Sequence, residues 1–165
     1  MSDSYQIVDE QDNLIGHKKR EDIDPKNDIY RIGALWLTNS SGQILIAQRV
    51  LTKDKDPGKW GPAAAGTMEE GETYESNIYK EAEEEIGLKD VELNIGPRQR
   101  FREPRQAFCQ WYTAVCDWPE EKFVLQADEV AKVKWIDPKE LRKDVENHPE
   151  KYVPGMKSEI DLFNI

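Results

Sequence analysis

Between Thr73 and Gly87 lies a stretch, YESNIYKEAEEEI, whose composition suits a solvated surface and whose pattern suits a packed interface. At about 100° per residue, Tyr74, Ile78, Ala82 and Ile86 fall on one stripe, as in a helix lying against other structure. Thr73 is placed to cap its start and Gly87 to stop it. The acids constrain it further. Glu85 projects inside the apolar arc with Glu81 and Glu84 beside it, while Lys80 and Glu83 are expected to point the other way. A helix that needed only solubility would carry its carboxylates opposite the stripe. Three neighbouring carboxylates repel one another, so the arrangement calls for protonation or a cation. Hard oxygen ligands at i, i+3 and i+4 suit Mg²⁺ or Mn²⁺.

The rest of the chain gives this helix a sheet to lie on. YQIVD and LIGH flank a turn at residues 10–13, and IYRIGALWLT and QILIAQRV flank Asn39-Ser40-Ser41-Gly42, so the first fifty residues read as two hairpins. Residues 51–71, with Pro57-Gly58 and Gly61-Pro62, read as loop with short extended pieces. Strands are expected over 91–102, 106–117 and 131–136. Asp137-Pro138 starts a helix over PKELRKDVEN, with Asp137 as its N-cap, and PGMKSEIDLF forms a short last helix. Strands covered by a few helices give an α/β layer architecture. No repeat or linker divides the chain, so residues 1–165 are read as one domain.

Charge narrows the partners. The 165 residues carry 33 acidic and 23 basic side chains, a net charge of −10, yet five Trp, six Tyr and four Phe supply core for a folded domain. The acidic balance argues against nucleic acid polymers and anionic membranes, which require a basic face. Residues 69–90 alone hold nine acids and two lysines, seven of the ten net charges. MSDSYQIVDE lacks the basic start and apolar run of a signal peptide, which places the protein in the cytosol. Cys109 and Cys116 lie an odd number of residues apart in one strand, on opposite faces, and are read as buried thiols. Asn39-Ser40-Ser41 matches a glycosylation acceptor but is better read as a turn.

The spacing around the acidic helix resembles a known pattern. Gly66, five residues, Glu72, seven residues, then Lys80-Glu81-Ala82-Glu83-Glu84-Glu85-Ile86-Gly87-Leu88 is similar to the Nudix box, GX5EX7REUXEEXGU with U apolar. Matching its two glycines and four glutamates by chance has odds on the order of 10⁻⁴ per placement. The box spans residues 66–88, and the order of elements around it is similar to the family's α/β/α sandwich with a mixed sheet. The resemblance implies metal-dependent hydrolysis of a nucleoside diphosphate linked to another group. It implies that Glu81, Glu84 and Glu85 bind divalent metal with the backbone carbonyl of Ala65, and that Glu81 or a loop acid accepts the proton of the attacking water. Glu129, six residues before Trp135, is the candidate loop acid, with Asp128 beside it. Lys80 is the one departure, where the family has Arg; an ammonium keeps the charge but loses the guanidinium fork. Glu72, Gly71 and Gly87 are read as structural.

An acidic metal site still needs cations for the substrate's outer charge. Arg49 and Lys53, in QRVLTKDKDPGKW, and the early VDEQDNLIGH hairpin resemble the isopentenyl-diphosphate isomerase branch of the superfamily, where an Arg and a Lys at these spacings hold a diphosphate. Arg98, Arg100 and Arg102 share one strand face and need an anionic neighbour, which leaves a phosphate, the acidic helix or the second subunit of a homodimer; Arg102 is taken as the substrate-facing member. Phe101, Trp111 and Tyr112 could stack a base but are better read as core. Isomerase chemistry is disfavoured, because that branch relies on a Cys before the Gly and on His ligands, whereas this chain has Ala65 and only His17 and His148. A different class of reading is a catalytically silent Nudix-like nucleotide-binding module, with Lys80 its only support.

Overall fold

The computed structural model describes residues 4–165. Two strands, β1 (Ser4–Val8) and β2 (Leu14–Lys19), form the expected first hairpin. β3 (Ile29–Thr38) and β4 (Ile44–Arg49) follow, joined by a turn in which the Asn39 side chain accepts from the amides of Ser41 and Gln43.

This second hairpin departs from the expectation. Its two strands pair only at Thr38 and Ile44, then diverge. Two short strands, β5 (Trp60–Pro62) and β6 (Ala64–Thr67), enter the gap, β5 pairing with β4 and β6 with β3. A continuous hairpin would have satisfied the facing edges of both strands locally. Here those hydrogen bonds go to a distant segment, and the wedge leaves an opening beside β4.

α1 (Tyr74–Ile86) has the boundaries that the capping signals predict. Thr73 and Ser76 exchange reciprocal hydrogen bonds, the Ser76 amide to Thr73 Oγ1 at 3.0 Å and the Thr73 amide to Ser76 Oγ at 2.9 Å. Gly87 ends the helix in the left-handed region at φ 68°, where a Cβ would be strained and would meet Val124.

Three more strands complete the sheet: β7 (Asn94–Phe101), β8 (Ala107–Val115) and β9 (Val130–Ile136). β8 runs parallel to β3 and antiparallel to β7, and β9 runs antiparallel to β4. α2 (Pro138–Asn147) begins at Asp137-Pro138, although the Asp137 side chain makes no capping bond, and α3 (Met156–Leu162) follows. No helix is long and apolar enough to cross a membrane, among the described residues.

Alternation along the strands divides the core between the two faces. Leu35, Leu37, Tyr112 and Ala114 meet Ile78, Ala82 and Ile86 of α1, whereas Ala34, Trp36, Cys109 and Trp111 meet Leu141, Val145, Met156 and Ile160 of α2 and α3. The result is an α/β/α sandwich with a mixed sheet. Cys109 and Cys116 are free, buried, and in opposite layers.

Candidate active site

α1 lies close enough to β6 that one glycine decides the fit. A Cβ on Gly66 would sit 2.3 Å from Cδ of Glu81, so the first glycine of the box makes room for that carboxylate. One turn on, Glu85 Oε2 accepts from the Ala65 amide at 3.4 Å. In an antiparallel ladder alternate residues turn their backbone groups away from the partner strand. The Met68 amide donates to the Arg31 carbonyl, and the register runs back through Gly66 opposite Gly33. Ala65 therefore turns both its N–H and its C=O away from β3, toward the edge where Glu85 lies.

Burial pushes the Glu81 carboxyl up to about 7, with Glu84 and Glu72 adding repulsion and Lys80 opposing it. Glu85 is held well above the usual carboxylate range, first by burial and then by Glu81 and Glu129. Glu84 stands exposed on the helix. Among the described residues, no three acidic, imidazole or thiol side chains converge closely enough to cage a metal by themselves. The acids that do bear on one another suit a divalent cation on two counts: buried like charges are what a cation relieves, and the donors are all oxygen.

Lys80 corrects the sequence reading. It turns toward the acids, with Nζ 3.0 Å from Glu72, 3.4 Å from Glu69 and 3.6 Å from Glu81. Its long stem lets the ammonium reach around the helix, which a helical wheel drawn at Cβ does not capture. Although burial opposes it, the pull of Glu72, Glu81 and Glu69 holds the ammonium above its ordinary pKa. Glu72 is structural as expected, accepting from the Glu69 amide at 2.7 Å, but it also anchors Lys80.

Where β3 and β4 part, a small cleft is lined by Gln48, Arg49, Ala65, Glu85, Glu129 and Val153, among others. Arg49, Ala65, Glu85 and Glu129 are thus brought together from four separate parts of the chain. Lys53 joins through Glu129, its Nζ 2.6 Å from Oε2. Asp128 is exposed and does not line the cleft. Gln48 and Val153 carried no sequence signal, since only the hairpin's opening and the return of the C-terminal segment bring them there.

The arginine trio lies elsewhere. Arg102 reaches Glu10 at 3.4 Å, Arg100 the same carboxylate at 2.9 Å, and Arg98 Asp12 at 3.0 Å. Their anionic neighbour is the β1–β2 turn, so Arg102 is not part of the cleft. Trp111 and Tyr112 are core, and Phe101 packs against it. His17 and His148 lie beside Glu70 and Glu150, outside the cleft.

A family model described as NUDIX domain matches residues 29–156. An uncharacterised Nudix hydrolase of Pseudomonas aeruginosa is 32% identical over 94% of the chain and 90% of its own length. A prenyl-diphosphate phosphatase of Methanosarcina mazei is 25% identical over 93% and 90%. In fold, a Deinococcus radiodurans protein of known crystal structure superposes with a TM-score of 0.84 at 21% identity, over 96% of this chain and 97% of that one.

Proposed function

The chain belongs to the Nudix hydrolase family, and from that premise we propose that Glu81, Glu84 and Glu85, with the carbonyl of Ala65, hold Mg²⁺ or Mn²⁺. The reaction is hydrolysis of the diphosphate linkage in a nucleoside diphosphate derivative or a related small phosphorylated metabolite. The observation that carries this reading is the crowding of Glu81 and Glu85, both partly buried and both driven toward protonation, against the outward-turned backbone of Ala65.

When bound, the cation supplies Lewis acidity to the phosphoryl oxygens and the attacking water. Everything else falls to the chain. Arg49, in the cleft, takes up phosphate charge, with Lys53 at its edge. Glu129 accepts the proton as the water oxygen bonds to phosphorus and the bridging P–O bond breaks, its electron pair leaving with the departing phosphate. Lys53 occupies Oε2 of Glu129, which leaves Oε1 for that proton. Lys80 holds Glu81 in place from the side, the task of the family's arginine, with point-charge contacts in place of a fork.

A silent binding module draws no support from Lys80 once its ammonium is seen among the box acids. Isomerase chemistry has neither the cysteine at position 65 nor a histidine lining the cleft. The test is release of phosphate or nucleotide from nucleoside di- and triphosphates, nucleotide sugars, dinucleoside polyphosphates and, given the Methanosarcina relative, prenyl diphosphates. With millimolar Mg²⁺ or Mn²⁺ at least one is hydrolysed, and Glu85→Gln abolishes it. Failure across the whole panel, or full activity in the variant, contradicts the proposal.

A further inference from the structure

The sheet gathers at one end the starts of β3, β8 and β9 and the finish of β4. β3 and β8 run parallel with Tyr30 opposite Ala107, β4 returns antiparallel to β3, and Arg49 at its finish is opposite Val130. The segments 20–28, 50–59, 102–106 and 126–129 therefore converge there. Their contacts tie them together: the Tyr30 amide donates to the Gln106 carbonyl at 3.3 Å, the Val50 amide to the Glu129 carbonyl at 3.1 Å, and the Gln106 side chain to the Lys26 carbonyl.

Arg20, Lys55 and Arg105 are among the exposed cations on these loops, and Arg49 bonds the Lys55 carbonyl through Nε at 3.0 Å. Arg105, Arg20 and Arg49 all lie within electrostatic reach of Lys55, and Arg105 and Arg20 also act on Tyr30. Burial first, and then these three guanidinium groups, hold the Lys55 ammonium below its ordinary pKa. Among the described residues none of the four has a carboxylate within ion-pair distance, although the chain has ten acids in excess. Of the acids on these segments, Asp28 pairs with Lys18, Asp56 with Lys59 and Glu129 with Lys53, and none of the rest, Glu21, Asp22, Asp54 and Glu103 among them, forms an ion pair with any of these four cations.

A cluster of like charges in an acidic protein focuses its field on an incoming anion. Arg49 connects it to the cleft that holds Glu85 and Glu129. We propose that Arg20, Lys55 and Arg105, continuous with Arg49, form a subsite for an unesterified terminal phosphate, so that the preferred substrate is a di- or triphosphate with one free end. A terminal phosphate brings a charge of about −1.5 to −2 and three acceptor oxygens, a match for guanidinium forks and an ammonium. An anhydride capped at both ends brings about one charge per phosphate and a bulky group where the cations converge. The substrate preference rests on the hydrolase reading, but the subsite itself does not.

The experiment is calorimetric titration of inorganic pyrophosphate in EDTA at low salt, paired with kcat/KM on an open-ended and a doubly capped anhydride. Wild type and Glu85→Gln bind pyrophosphate, and Arg20→Ala/Lys55→Ala/Arg105→Ala binds at least tenfold more weakly. In the triple variant the ratio of kcat/KM for open-ended over capped substrate falls at least tenfold. Absence of binding by wild type, equal binding by the triple variant, or an unchanged ratio overturns the proposal. Should no anhydride be turned over, the hydrolase reading falls while the pyrophosphate titration still decides the subsite.

Discussion

Burying a carboxyl group away from partners costs free energy, and Glu159 on α3 is such a group: it is buried, and its Oε2 has no hydrogen-bond partner. Burial raises its pKa to about 7 from a reference of 4.5, with Arg105 pulling weakly the other way. The unfolded chain releases this proton near 4.5 and the folded chain near 7. Between those values the folded state binds more protons, so stability falls as pH rises through the window, by about 3 kcal/mol once both states are ionised. Glu159→Gln removes the titration. Its melting temperature should exceed that of wild type at pH 8, with the gap narrowing toward pH 5; a gap that does not vary with pH contradicts the assignment. Lys80 illustrates the opposite case, a charged group whose partners compensate its burial, since Glu69, Glu72 and Glu81 surround it.

At the level of elements, the site depends on how closely α1 approaches β6. Gly66 permits that approach, so Gly66→Ala should push Glu81 aside, and displacement of that order lowers turnover roughly 10²-fold, while circular dichroism stays native. Undiminished activity would show that Glu81 does not need its place over the strand. The helix itself was legible in the sequence because its signals are local: the cap at Thr73, the stop at Gly87 and the stripe between them obey rules spanning a few residues. So were Glu81 and Glu85 as a crowded pair, and Arg49 and Glu129 as neighbours of the site. The opening of the β3–β4 hairpin was not, because two adjacent strands with a good turn predict continued pairing, and only the distant β5 and β6 segments compete for those edges. Arg102 was misplaced for a related reason. Period-two spacing gives a shared strand face but not the element opposite it, which is the β1–β2 turn with Glu10 and Asp12.

Across the whole molecule, the net charge of −10 conceals a polar arrangement. Seven of those charges fall within residues 69–90, and Glu85 of α1 meets Glu129 at the cleft, while Arg20, Arg49, Lys55 and Arg105 gather at the same end of the sheet. An acidic chain can thus take up an acidic small molecule at its basic loops and cleave it beside α1, provided cations neutralise the α1 acids. Whether the α1 acids hold that cation is read from titration of Mn²⁺ into wild type and into Glu81→Gln/Glu85→Gln, with thermal melting in parallel. Wild type should bind saturably and gain about 2.7 kcal/mol at a hundred times the dissociation constant, and the double variant should lose both the binding heat and the melting shift. Equal binding and equal shifts in the two proteins would place the metal elsewhere and leave the crowded α1 acids without a cation.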